Sequence, residues 1–199
     1  MSSAPLPPRS SRRLDRQQAA LLLIDLQEKL LPGIASSDVI LWNAGRLLRA
    51  ARLFDVPIDL TEQYPQGLGP TVPSLLQEPS PTRHEKRAFS AAACGDLLAD
   101  WAAAGIRQVV IAGIESHVCV LQSCLDLLSE GFDVLVVVDA IGARCPLDHE
   151  TAVRRMRDEG ATLLTTESVL FEWCESSADP QFKSLSALVR ESPPAAGNG

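Results

Sequence analysis

Histidine, long apolar runs and excess positive charge are all scarce in this chain, and each shortage closes off a class of function. No apolar run approaches the ~18 residues needed to cross a bilayer, and no apolar secretory core is present, so neither a membrane nor an export route is expected. Lysine and arginine total 18 against 25 acidic residues, a formal net charge of −7, which favours neither nucleic acid nor an anionic membrane as partner. His84, His117 and His149 are scattered without regular ligand spacing, so no metal site of imidazoles and thiolates is expected, and no other cofactor. Cys94, Cys119, Cys124, Cys145 and Cys174 form no C-x-x-C pair and are odd in number. That argues against a disulfide framework and fits a reducing, cytoplasmic setting. A dinucleotide fingerprint is missing too, because Asp25-Leu26-Gln27-Glu28 follows the first apolar run where G-x-G-x-x-G would stand.

What is present reads as one domain with a sizeable core: 199 residues, 46% of them apolar and 22% charged. Residues 1–18, with Arg9, Arg12, Arg13 and Arg16 among prolines and serines, read as a disordered tail, and residues 191–199 as another. Between them, residues 19–190 alternate strand-like and helix-like segments. Strands are expected at 19–26, 58–63, 107–114, 133–140 and 162–166, with a short segment at 86–90. Helices are expected from Ser36 or Ser37 to about residue 54, then over 95–104, 117–129, 148–160 and 180–190, and residues 64–81 read as a long loop. Strands separated by such helices imply an α/β fold with a mostly parallel sheet of about six strands, covered on both faces.

Ligands in such sheets bind at the carboxyl ends of the strands, so polar residues there come first. Asp25 closes a buried apolar strand, where a carboxylate is costly unless paired or solvated, although position alone equally fits a strand-end cap. Cys119 follows a strand directly. With Ser116 or His117 as helix cap it would lie in the first turn, where orphan amides favour a thiolate and could hold an oxyanion. Position alone fits a small core residue as well. Lys86 would by itself be a solvated surface charge. Beside a thiol it would lower the pKa, and a carboxylate could take the thiol proton. Cys124, Cys94 and Cys174 fit the core, and Cys145 a loop.

Leu23-Ile24-Asp25-Leu26-Gln27, Lys86-Arg87-Ala88-Phe89-Ser90 and Gly113 through Cys119, in this order and spacing, resemble the isochorismatase-like cysteine hydrolase family. The run from Thr61 to Gly69 (TEQYPQGLG) is similar to the isochorismatase-domain subgroup. The resemblance implies a Rossmann-like three-layer α/β/α sandwich and a triad of Asp25 as base, Lys86 as charge stabiliser and Cys119 as nucleophile. It also implies a cis peptide between Ile114 and Glu115, with the amides of Glu115 and Cys119 forming an oxyanion hole. A thioester on Cys119 and release of ammonia or an amine from a small molecule would follow. Metal-binding relatives carry Asp where Gln63 stands here, which points away from a metal site, and Cys119 points away from isochorismate itself. Gln63 could contact substrate or simply end its strand; Phe89 could line the pocket or belong to the core. Family members are commonly homo-oligomers. Hydrolysis of an ester or another activated carbonyl, and a silent binding member of the fold, are the competing readings.

Overall fold

Six consecutive apolar residues, Ala19–Ile24, form strand β1, and all six are buried because both faces of the strand are covered. The period of two divides them cleanly. Ala19, Leu21 and Leu23 enter one apolar cluster, and Ala20, Leu22 and Ile24 enter the other. Each fully buried Leu or Ile of this kind contributes ~1.5–3 kcal/mol. The computed structural model describes residues 10–194 apart from residue 78. The other strands are β2 (Ile58–Gln63), β3 (Thr82–Lys86), β4 (Gln108–Ile114), β5 (Asp133–Gly142) and β6 (Thr162–Leu164). They lie in the order β3-β2-β1-β4-β5-β6, and every pairing is parallel.

Helices α1 (Ser37–Leu53), α2 (Pro65–Leu68), α3 (Leu97–Ala103), α4 (Leu121–Ser129), α5 (Pro146–Asp158), α6 (Thr166–Cys174) and α7 (Phe182–Val189) complete the chain. Helices α1, α6 and α7 cover one face of the sheet through Ile40, Leu47, Leu170, Trp173 and Leu185. Helices α3, α4 and α5 cover the other through Trp101, Cys124, Leu127 and Met156. The result is the three-layer α/β/α sandwich, with all six strands parallel.

Several details differ from the sequence-based expectations. Strand β3 is an edge strand of polar residues, Thr-Arg-His-Glu-Lys, with no apolar run to announce it. The loop over 64–81 contains α2 and a tight turn at Pro73–Leu75. Helix α5 is preceded by Cys145 and has Pro146 at its first position, so Asp148 lies inside the first turn rather than at the cap. Helix α6, capped by Thr165 Oγ on the Ser168 N–H, replaces what reads as the end of the last strand. Leu14, Asp15 and Arg16, expected within the N-terminal tail, pack against the rest of the chain. Leu14 is fully buried, with its N–H donating to Glu172 Oε2 at 2.6 Å. Asp15 N–H donates to Gln108 Oε1 at 2.6 Å, and Arg16 pairs with Asp179 at 2.9 Å. Arg49 holds Glu191 through bonds of 2.6 and 2.7 Å. The rest of the two expected tails, residues 1–9 and 195–199, lies outside the described residues.

Candidate active site

Strand order reverses beside β1: β2 and β3 extend to one side of it, β4 to β6 to the other. The carboxyl ends of β1 and β4 meet there, at the position where open α/β sheets bind ligands. Gly113 makes the close approach possible. It pairs with Ile24 at φ +124°, and a Cβ there would fall 2.1 Å from the Ile24 carbonyl oxygen. After Gly113 the Ile114–Glu115 peptide bond is cis. The chain then enters a wide π-type turn, Ser116–Val120, that runs into α4. Val118 and Val120 donate to the Glu115 carbonyl at 3.0 and 3.2 Å, and no side chain caps the turn. Ser116, expected as a possible cap, is buried and instead bonds His149 Nδ1 at 3.1 Å.

Asp25 leaves β1 in the left-handed region at φ 52° and is fully buried. Its Oδ1 accepts from the Thr61 hydroxyl at 2.6 Å and its Oδ2 from Lys86 Nζ at 2.7 Å. Lys86 ends β3 and is 5% exposed, so the solvated-charge reading of its position does not hold. Its ammonium donates to Asp25, to Gln63 Oε1 at 2.8 Å and to the Phe89 carbonyl at 2.9 Å, which uses all three donors. Gln63 ends β2, and its Nε2 donates to the Arg87 carbonyl at 2.9 Å, so both polar ends of this side chain are engaged.

Cys119 is buried in the π-type turn, near enough to Asp25 and Lys86 for both charges to act on its thiol. The structure thus brings the three residues together. It does not make the thiol acidic. Burial first, then the charge of Asp25, push the Cys119 thiol from 9.0 up to about 12, and the opposing influence of Lys86 does not offset them. Burial of the turn and the pairing of Lys86 with Asp25 oppose the thiolate expected from a helix start and a nearby lysine. Cys124 is pushed up to about 12 by burial alone, and Cys94 is raised mainly by burial.

Phe89 is 50% exposed at the rim, so it is no core residue; its carbonyl, not its ring, joins the buried network. Tyr64 is also exposed there and carries the Arg87 guanidinium 3.9 Å over its ring. Burial works to raise the Glu115 carboxyl, but two hydrogen bonds and the charge of Arg144 outweigh it and hold the group below the ordinary carboxylate range. Gln27 had no role assigned from the sequence. Its amide donates to the Gln63 and Gly69 carbonyls at 3.0 and 2.6 Å and accepts the Gln63 N–H at 2.8 Å, tying β1 to β2 and the following loop. Its only signal was a polar residue three positions beyond a fully buried strand. A cleft of about 520 Å³ lies at the opposite, amino-terminal ends of the strands, lined by Arg16, Phe54, Asp55 and Asp179, and shares no residue with this site.

Residues 19–168 match the family model described as the isochorismatase domain. The isochorismatase domain-containing protein 2A of Mus musculus is 42% identical over 186 residues, covering 93% of this chain and 89% of that protein. The structure of MAR1 ribonuclease from Caenorhabditis elegans superposes with a TM-score of 0.84 at 38% identity, covering 94% of this chain and 97% of its own. The ycaC gene product of Escherichia coli, described as an octameric hydrolase of unknown specificity, superposes with a TM-score of 0.80 at 32% identity over 91% of each chain.

Proposed function

The chain belongs to the isochorismatase-domain family of α/β hydrolases, and from that premise we propose that it cleaves an amide or carbamoyl C–N bond of a small molecule through a thioester on Cys119. The supporting observation is a buried thiol within electrostatic reach of a buried Asp25–Lys86 ion pair of 2.7 Å. With a thiol at about 12, the thiolate fraction at pH 7 is on the order of one in 10⁵. Attack therefore requires a base that removes the proton as the bond forms, and Asp25 is placed to do so.

In the first step Sγ bonds the carbonyl carbon, its proton passes to Asp25, and the carbonyl electron pair moves to oxygen. The amides of Glu115 and Cys119 hold that oxyanion. Collapse breaks the C–N bond, and the proton returns from Asp25 to nitrogen, which leaves as ammonia or an amine. In the second step water attacks the thioester, Asp25 takes a water proton, and the C–S bond breaks with the proton restored to sulfur. Lys86 remains charged throughout, fixing Asp25 and stabilising the transient thiolate. Gln63 sets the direction of Lys86, no metal is assigned to the position of Gln63, and the half-exposed ring of Phe89 forms an apolar wall at the entrance.

The ribonuclease name of the nematode neighbour is not carried over, because a net charge of −7 gives no footprint for a polyanion. By likeness to the octameric bacterial hydrolase the working form is a homo-oligomer. No helix among the described residues is long and apolar enough to cross a membrane, and we place the enzyme in the cytoplasm.

The test is ammonia release from acetamide, benzamide and N-carbamoylglycine, with 4-nitrophenyl acetate and an RNA oligonucleotide as the rival substrates. At least one amide or carbamoyl compound turns over, Cys119→Ala abolishes it, and intact mass shows the acyl group on the wild-type protein. Turnover that survives in Cys119→Ala, or cleavage of the ester or RNA with every amide untouched, would overturn the reading.

A further inference from the structure

Ser123 lies outside the three-residue constellation but joins the two segments that carry Lys86 and Cys119. It sits in the first turn of α4 and is fully buried. Its hydroxyl donates to the Cys119 carbonyl at 2.6 Å and accepts the Ala91 N–H at 2.8 Å. One hydroxyl can do both, since it offers a donor and two lone pairs. Ala91 opens a short turn directly after Phe89 and Ser90, and the Phe89 carbonyl is the third acceptor of Lys86. A continuous path therefore runs from the Lys86 ammonium through the Phe89–Ala91 backbone and Ser123 Oγ to the backbone of Cys119.

A serine bonding back to the carbonyl four residues earlier is common on exposed helix faces. Ser129 makes that bond to Leu125 at 3.0 Å at an exposed position. Ser123 differs in being buried and in drawing its second partner from another element. Its neighbours along the helix, Val120, Cys124 and Leu127, are buried apolar side chains. A hydroxyl held in such surroundings is accounted for by the two backbone groups it satisfies.

We propose that Ser123 is a positioning residue for Cys119: by holding the Ala91 amide and the Cys119 carbonyl on one hydroxyl, it fixes the thiol against the Lys86–Asp25 pair. This rests on the reading of Cys119 as the nucleophile. The test is alkylation by iodoacetamide at pH 9, followed residue by residue by peptide mass, with Cys124 as internal comparator because burial raises its thiol as far and no charged group acts on it. In the wild-type protein Cys119 reacts faster than Cys124. In Ser123→Ala the ratio of the two rates falls by roughly three- to tenfold, the scale of a small misplacement of a reacting group. Ser123→Thr, which keeps the hydroxyl, and Ser129→Ala, which removes the exposed bond, both leave the ratio near wild type. If Ser123→Ala does not fold, Ser123→Cys, of similar volume but a weak donor, takes its place.

An unchanged ratio in Ser123→Ala overturns the proposal. So does faster labelling of both cysteines with the ratio preserved, which is what loosened packing alone produces. If Cys119→Ala keeps full amide turnover, it is the nucleophile reading that fails, whatever Ser123 does.

Discussion

Replacing Lys86 with methionine removes the positive half of an ion pair whose side chains are 1% and 0% exposed and 2.7 Å apart. Methionine fills most of the lysine volume, so the loss is chiefly electrostatic. It leaves the Asp25 carboxylate buried without its counter-ion, with the Thr61 hydroxyl still bonded to Oδ1 at 2.6 Å. Breaking one side of a buried pair costs ~3–5 kcal/mol, because the remaining charge keeps its desolvation penalty and loses its compensation. For a domain of this size, 1 kcal/mol corresponds to ~2–4 °C in Tm, so a fall of roughly 6–20 °C is expected. Asp25→Asn is destabilising for the mirror reason. The double variant removes both charges, and it should lose less than the sum of the singles by at least ~1 kcal/mol. Urea denaturation at pH 7.5 measures all four proteins, with an unchanged m-value showing that the cost lies in stability. Strict additivity, or a Lys86→Met cost below ~1 kcal/mol, would refute a buried, mutually dependent pair.

Three further outcomes follow from the structure. The Cys119 thiol is raised from 9.0 to about 12, so its alkylation rate should climb about tenfold per pH unit from pH 7 to 10 without levelling, and a plateau below pH 9 would contradict the burial. Linkage has the same sign: with the folded value above the unfolded one, the contribution to stability is complete below pH 9 and is lost as pH rises toward 12, which urea midpoints at pH 8 and 10.5 would register. Gly113→Ala forces a Cβ to 2.1 Å from the Ile24 backbone oxygen at φ +124°, so the ends of β1 and β4 must part. A cost of at least ~3 kcal/mol, or about 6 °C or more in Tm, is expected, and a melt within 2 °C of wild type would show that the approach is not needed.

The parts of this architecture that were legible in the sequence are those governed by burial. Leu21 to Ile24 and Val109 to Ile114 are apolar without interruption because they lie in the sheet interior, and interior strands announce themselves. Strand β3 does not. Its residues are mostly exposed at a sheet edge, and its one buried side chain is Lys86, which reads alone as a surface charge. Helix α6 was not read from the sequence, although Val169, Leu170, Trp173 and Cys174 stand at helical spacing behind the Thr165 cap. Asp25 and Cys119 were locatable because each interrupts or follows an apolar strand. Gln27, Thr61 and Ser123 were not, because their significance lies in partners 36, 36 and 32 residues away in sequence. The burial of Cys119 was likewise beyond the sequence, which can place a thiol near a lysine but cannot show that the lysine is already paired with Asp25.

The distribution of these polar ties follows from the sheet order. Asp25 and the Cys119 turn grow from β1 and β4, central neighbours with six paired positions and apolar cover on both faces, and their relative placement comes with the core. Lys86 comes from β3, which pairs on one side only and buries little apolar surface. A charge that must sit within 2.7 Å of Asp25 cannot rely on that edge for its position. The remaining ties gather around it accordingly: Gln63 and the Phe89 carbonyl hold the ammonium, Gln27 holds the Gln63 backbone, and Ser123 holds the segment that carries Phe89. Gln63 and Ser123 tie β3, or the segment leading from it, to better-packed elements. Where packing does not fix a reacting geometry, directional hydrogen bonds do, so variants of the uncharged Gln63 should reduce turnover before they reduce stability.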